Sequence, residues 1–155
     1  MKKIIALTLL LCSSFAMATT DNNMLFLQSA SAGELVKNKG QHYTLILKKS
    51  PDYVGYFTDR PQRKAGMVSL RQFIALWQNK TIKNNFSDVP PNAAIAMKLA
   101  SGQLQNFVAV VSAPGYDNKT VSYQLDVISK QPLQTGKIVH ANMFFDDIHW
   151  NPGGF

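Results

Sequence analysis

Carboxylates and an imidazole stand close together at one place in the chain, Asp146-Asp147-Ile148-His149-Trp150. Those groups suit a divalent metal. Adjacent carboxylates on a strand point to opposite faces, however, so Asp146 and Asp147 are poorly placed to share one ion. The segment reads as a polar strand end, and no metal site is expected. The other histidines are His42 and His140. They form no His-x-x-x-His or His-Glu-x-x-His pair, and Met143 near His140 is too little for a copper site. No glycine-rich phosphate loop is present, and no Gly-x-Ser-x-Gly turn. Neither a catalytic residue nor a cofactor is expected. A Ser-His-Asp arrangement needs no local pattern, so an unrecognised hydrolase stays open as a rival reading.

The segment with the most chemistry in it is Tyr56-Phe57-Thr58-Asp59-Arg60-Pro61-Gln62-Arg63-Lys64-Ala65-Gly66. Arg60, Arg63 and Lys64 could together hold an anion. In the structural reading, Asp59 accepts from nearby backbone N–H groups or from the Arg60 and Arg63 guanidinium forks, and pins a connection between a strand and a helix. Pro61 ends the strand, and Gly66 supplies backbone freedom ahead of the helix. Tyr53, Tyr56 and Trp150 are candidate exposed aromatics for binding a partner.

These residues must be positioned by short strands. Residues 24–27 and 33–37 read as the first two. Residues 42–49 alternate with a period of two, Tyr43, Leu45 and Leu47 on one face and Thr44, Ile46 and Lys48 on the other. Residues 53–58 follow after a Ser-Pro-Asp turn. The period then changes. Leu70, Phe73, Ile74 and Trp77 fall at i, i+3, i+4 and i+7, one face of a helix of about ten residues ending near Asn79. Ser69 and Gln72 are placed for a capping box, and Val68 and Phe73 for a hydrophobic staple. The Phe73–Trp77 face reads as core. Strands at 94–99, 107–111, 120–128 and 138–145 follow, with a turn cluster at 114–118. About eight short strands with one inserted helix suggest an antiparallel β-sandwich. A single strongly curved sheet with the helix on one face is the second choice.

The chain has 155 residues, 46% of them hydrophobic and 16% charged, which suits one globular domain. Residues 1–18 read as a signal peptide. Lys2 and Lys3 precede an apolar run too short to span a bilayer, and Ala16-Met17-Ala18 offers small residues for cleavage before Thr19. Cys12 follows Leu11, which is not small, so lipidation is not expected. It is the one cysteine, and its loss would leave no thiol and no disulfide. Residues 19–23 read as a flexible start, 24–150 as the domain, and 151–155 as a flexible tail. No transmembrane segment is expected after processing, and the product would be periplasmic or secreted. The formal net charge is +7, of which Lys2 and Lys3 carry two. The basic residues are scattered. An anionic envelope component or a protein partner fits that balance, and nucleic acid is not expected.

The order Tyr-Phe-Thr-Asp-Arg-Pro-x-Arg-x-Ala-Gly, then Phe-Ile-x-x-Trp, then Pro-Pro-Asn-Ala resembles an uncharacterised family of small exported bacterial proteins. The matching residues are Phe57 to Pro61, Arg63, Gly66, Phe73, Trp77 and Pro90 to Ala93. The resemblance spans roughly residues 43–123 and implies a shared fold and export, with no activity attached. The combined expectation is an exported, non-catalytic binding or interaction module. A secreted effector acting on membrane or polysaccharide is the alternative, beside the hydrolase.

Overall fold

The computed structural model describes residues 23–60, 62–78, 80–81 and 85–149, with side chains as far as 146. The expected signal peptide, Cys12, Pro61, the helix end at Asn79, and Trp150 with the tail after it lie outside the described residues, as do the side chains of Asp147 and His149.

Inward-facing positions slip by one residue early in the chain, and the slip shapes the fold. In β1 (Asn23–Ala30) Met24, Phe26, Gln28 and Ala30 are buried. In β2 (Ala32–Lys37), one residue further on, Gly33 and Leu35 are buried instead. β3 (His42–Lys48) and β4 (Tyr53–Thr58) repeat the slip, from Tyr43, Leu45 and Leu47 to Val54, Tyr56 and Thr58. β2 pairs with β3, and β1 with β4, all antiparallel. Both arms of one long hairpin therefore change face at the same level, because a one-residue shift exchanges the two faces of a strand.

On one side of that bend β5 (Ala65–Ser69) adds to β4. On the other side β3 pairs with β8 (Thr120–Val127) and β8 with β7 (Leu104–Asp117). β7 pairs with β6 (Asn92–Leu99), and β6 with β9 (Gly136–His149). β9 then meets β2 through Gly33↔Ile138, Glu34↔Lys137 and Leu35↔Gly136, and meets β1 along the rest of its length. The ring β2-β3-β8-β7-β6-β9 is a closed antiparallel barrel, and β1, β4 and β5 extend the sheet from β9. The mainly β, antiparallel expectation stands, but the two packed sheets of a sandwich are replaced by one sheet closed on itself. Both architectures carry the same period-two signal. What separates them is whether the outer edges of the sheet meet, and that depends on the second edge of β9.

Three local readings also change. β5 was not expected, since Ala65-Gly66-Met67 shows no alternation. β7 runs straight through the expected turn cluster, with a bulge between Ser112 and Gly115 and Ala113 at φ 46°. The turn itself is only Asn118-Lys119, at φ 42° and 65°, the two-residue hairpin loop whose twist matches its strands. The α-helix is shorter than expected, six residues in α1 (Leu70–Ala75), and single i→i+3 bonds carry it on to Gln78.

Its start follows the expected chemistry. The Ser69 hydroxyl accepts from the Gln72 backbone N–H, and the Gln72 side chain accepts from the Ser69 N–H at 3.0 Å. The helix lays Phe73 and Trp77 across the inward faces of β1, β8 and β9. Trp77 has Phe73, Phe86, Tyr123 and Phe145 around it, at ring-centroid distances from 4.7 to 6.0 Å. Its indole N–H donates to the Val111 carbonyl at 3.2 Å. The Phe73–Trp77 face is core, as its spacing suggested.

One polar pair sits inside this core. The Tyr123 hydroxyl donates to Gln28 Oε1 at 2.7 Å, and both residues are buried. Burial pushes the Tyr123 phenol well above its ordinary range, and the Gln28 bond opposes that shift only in part.

Removing the aromatic plug tests the packing. Trp77→Ala should lower stability by about 3–5 kcal/mol in chemical denaturation, the usual cost of deleting a buried aromatic. The tyrosine supplies a pH signature. With its folded pKa raised, the Tyr123 contribution is fully present below the unfolded value of about 10 and is lost as pH climbs above it. The stability difference between the native chain and Tyr123→Phe should therefore shrink above pH ~10, and stay constant between pH ~6 and 9.

Candidate functional site

The connection between β4 and β5 carries the cations singled out in the sequence. Backbone bonds close it: Thr58 N–H donates to the Lys64 carbonyl at 2.8 Å, and Arg63 N–H to the Asp59 carbonyl at 3.1 Å. The Thr58 hydroxyl accepts from Lys64 N–H at 2.9 Å. Asp59 accepts from the Arg60 backbone N–H at 2.7 Å, so it acts through a main-chain donor. Arg63 holds φ at 49°, a conformation costly for a residue with a Cβ. Arg60, Arg63 and Lys64 are all exposed on this one hairpin tip. The tip joins two strands, rather than a strand to the helix as expected, because β5 intervenes.

The candidate aromatics do not join it. Tyr53 is exposed, but it starts β4, about 17 Å along the strand from the tip. Tyr56 is buried, which corrects its expected exposure: its position in β4 faces the core. Gly66 is also needed for another reason. It does not take a positive φ; a Cβ there would lie 2.6 Å from the Tyr56 hydroxyl oxygen, so the residue provides room for the ring.

The groups with metal chemistry are dispersed. Asp146 accepts from the Asn92 side-chain amide at 2.9 Å. His42 on β3 faces Asp126 on β8 at 3.6 Å, both largely exposed, and His140 on β9 contacts Asn142. Among the described residues no group of three His, Cys, Asp or Glu is close enough to hold a metal ion. Nor is any helix there long and apolar enough to cross a membrane.

What the sequence reading missed lies on the outside of the sheet. Met67 on β5 is opposite Gly55 on β4, Gly55 opposite Leu27 on β1, and Leu27 opposite Phe144 on β9. Phe144 is opposite Ala94 on β6, and Ala94 opposite Val108 on β7. Directly opposed residues share a face, so these six form one uninterrupted apolar row across six strands, about 24 Å long. Met67 is 72% exposed and Phe144 48%, with Leu27 and Val108 close to 40%. Phe57, also exposed, lies beside the row on β4. Between the walls of Phe144 and Val108, the small side chains of Ala94 and Ala96 floor a shallow groove of about 400 Å³. The neighbouring row, Ser29, Asn142, Ala96 and Asn106, is mostly polar. The signal was present in the sequence as strands apolar at both phases, Met24-Leu25-Phe26-Leu27 and Met143-Phe144-Phe145.

The tip and its charges can be separated by substitution. Because Asp59 and Arg63 meet through the backbone, Asp59→Ala should cost about 0.5–1.5 kcal/mol, Arg63→Ala under about 0.5, and the double variant should be additive in thermal unfolding. Arg63→Gly should be neutral or stabilising by up to about 1 kcal/mol, through relief at the positive φ.

No family model matches the chain, and neither a curated protein nor a solved structure is significantly similar to it.

Proposed function

We propose that this chain is an exported, non-catalytic binding module of the cell envelope or extracellular space, and that a protein partner docks on the outer face of β5, β4, β1, β9, β6 and β7. The apolar row from Met67 to Val108 carries the reading. Six aligned apolar positions on a solvent-facing sheet surface cost solubility, and among the described residues Met67, Phe144, Val108 and Leu27 stay partly to largely exposed there. An apolar strip with a neutral polar row beside it matches the core-and-rim pattern of protein interfaces. Lys2-Lys3, the apolar run after them and Ala16-Met17-Ala18 support export, as does the resemblance on Phe57 to Pro61 and Pro90 to Ala93. The hairpin tip supports a second reading, attraction to an anionic envelope surface, since Arg60, Arg63 and Lys64 project from it together.

Comparative capture from envelope and culture fractions tests the docking face. Phe144→Asp and Leu27→Asp should each remove the captured partner while lowering stability by only about 1 kcal/mol, the span of strand preference, so that the chain stays folded. Retained capture by both variants would refute the docking face. If neutralising Arg60, Arg63 and Lys64 abolishes capture instead, and added salt mimics that loss, the anionic reading replaces it.

A further inference from the structure

We infer that the end of the barrel between β7 and the 128–135 segment is a binding cleft for a neutral oligosaccharide. β8 ends at Val127, while β7 begins at Leu104, so the first residues of β7 have no strand on that side. The chain after β8 runs back along them, and side chains reach across the gap. Val108 N–H donates to the Ser129 hydroxyl at 2.9 Å. The Gln131 side-chain amide donates to the Asn106 carbonyl. Gln105 and Gln134 exchange two bonds, amide to carbonyl at 2.9 Å and backbone N–H to side-chain oxygen at 3.1 Å. Side chains used as spacers hold the segment further from β7 than a paired strand would stand. The result is a cleft of about 500 Å³, within the usual range of small-molecule sites.

The lining decides the class of ligand. Gln103, Gln105, Gln131, Gln134 and Asn106 surround the cleft with Leu104 and Leu133, and no charged side chain lines it. An amide offers a donor and an acceptor side by side, which suits hydroxyl groups that do both. Among the described residues the side-chain amides of Asn106 and Gln134 bond to no other protein group, and they are open to solvent. Leu104, 70% exposed, gives the rim an apolar surface for the C–H face of a sugar ring. No cation is among the lining residues to hold an anion, although Lys130 and Lys98 stand exposed nearby, so an anionic sugar is a needed control. An extended peptide would find the edge of β7 already used, since Ser129 takes the Val108 N–H and Gln131 the Asn106 carbonyl.

The cleft adjoins the docking face at Asn106, but Phe144 does not line it. Titrating isotope-labelled protein with maltotetraose, cellotetraose and N-acetylchitotetraose, and reading the side-chain amide resonances, tests it. At least one of the three should shift Asn106, Gln131 and Gln134 saturably, up to about 10 mM sugar. Asn106→Leu and Gln134→Leu should each weaken that binding about tenfold, the weight of one lost hydrogen bond, with unchanged melting. Phe144→Asp should leave it intact, so loss of the docking face and loss of the cleft are distinguishable. Absence of saturable shifts from all three sugars would overturn the inference. So would shifts that persist unchanged in both leucine variants, or stronger shifts of the same amides by polygalacturonate, an anion.

Discussion

A sheet becomes a barrel only when its last seam is made, and here that seam is three residue pairs long, Gly33↔Ile138, Glu34↔Lys137 and Leu35↔Gly136. Everything else in the molecule follows from fitting it. On the other side of β2, a Cβ on Gly33 would sit 2.4 Å from the Ile46 carbonyl oxygen of β3, so a larger residue there would push β2 and β3 apart beside the seam. Because the seam is short, the rest of β9 is free to pair with β1. That split in partner is what lets β1, β4 and β5 leave the ring and carry the helix with them. The interior so enclosed is sealed by aromatic rings, with Trp77 tied to the backbone of β7 at Val111.

Strand alternation and helix capping are local facts, and they were readable. Tyr43, Leu45 and Leu47 announced β3; Ser69 and Gln72 announced the start of α1; Trp77 announced its buried face. Closure is not local. Ile138 carries no mark that its second neighbour is Gly33, and a sandwich and a barrel use the same alternation. Gly66 was read as a flexible residue, but its role comes from the Tyr56 ring lying across it, a contact made only after β4 and β5 pair. The turn expected at 114–118 began too early and stopped one residue short, because Pro114 and Gly115 look like a turn, while the bulge at Ala113 lets β7 absorb them.

The candidate surface was half legible for the same reason. That Leu25 and Leu27 are apolar out of phase with Met24 and Phe26 is visible in the chain. That Leu27 stands in line with Phe144, Ala94 and Val108 is a matter of register, and register is set by tertiary pairing. The charged tip shows the converse. Its residues are contiguous, so their grouping was readable; that the backbone, rather than the Asp59–Arg63 charges, closes the turn was not.

The extension of the sheet beyond the ring leaves β5 at its margin, and margins invite other chains to add to them. Thr58 N–H bonds to Lys64 and Leu70 N–H to Asp52, so Gly66 and Val68 turn their main-chain groups toward β4, and Ala65, Met67 and Ser69 turn theirs away. The Ser69 N–H is already held by the Gln72 side chain. The capping box that starts the helix therefore also shortens the template offered to a second molecule, to little more than two residues. Any chain that must pair its strands while folding passes through a stage where such margins are exposed. Here one glutamine both begins a helix and guards the chain against edge-to-edge aggregation.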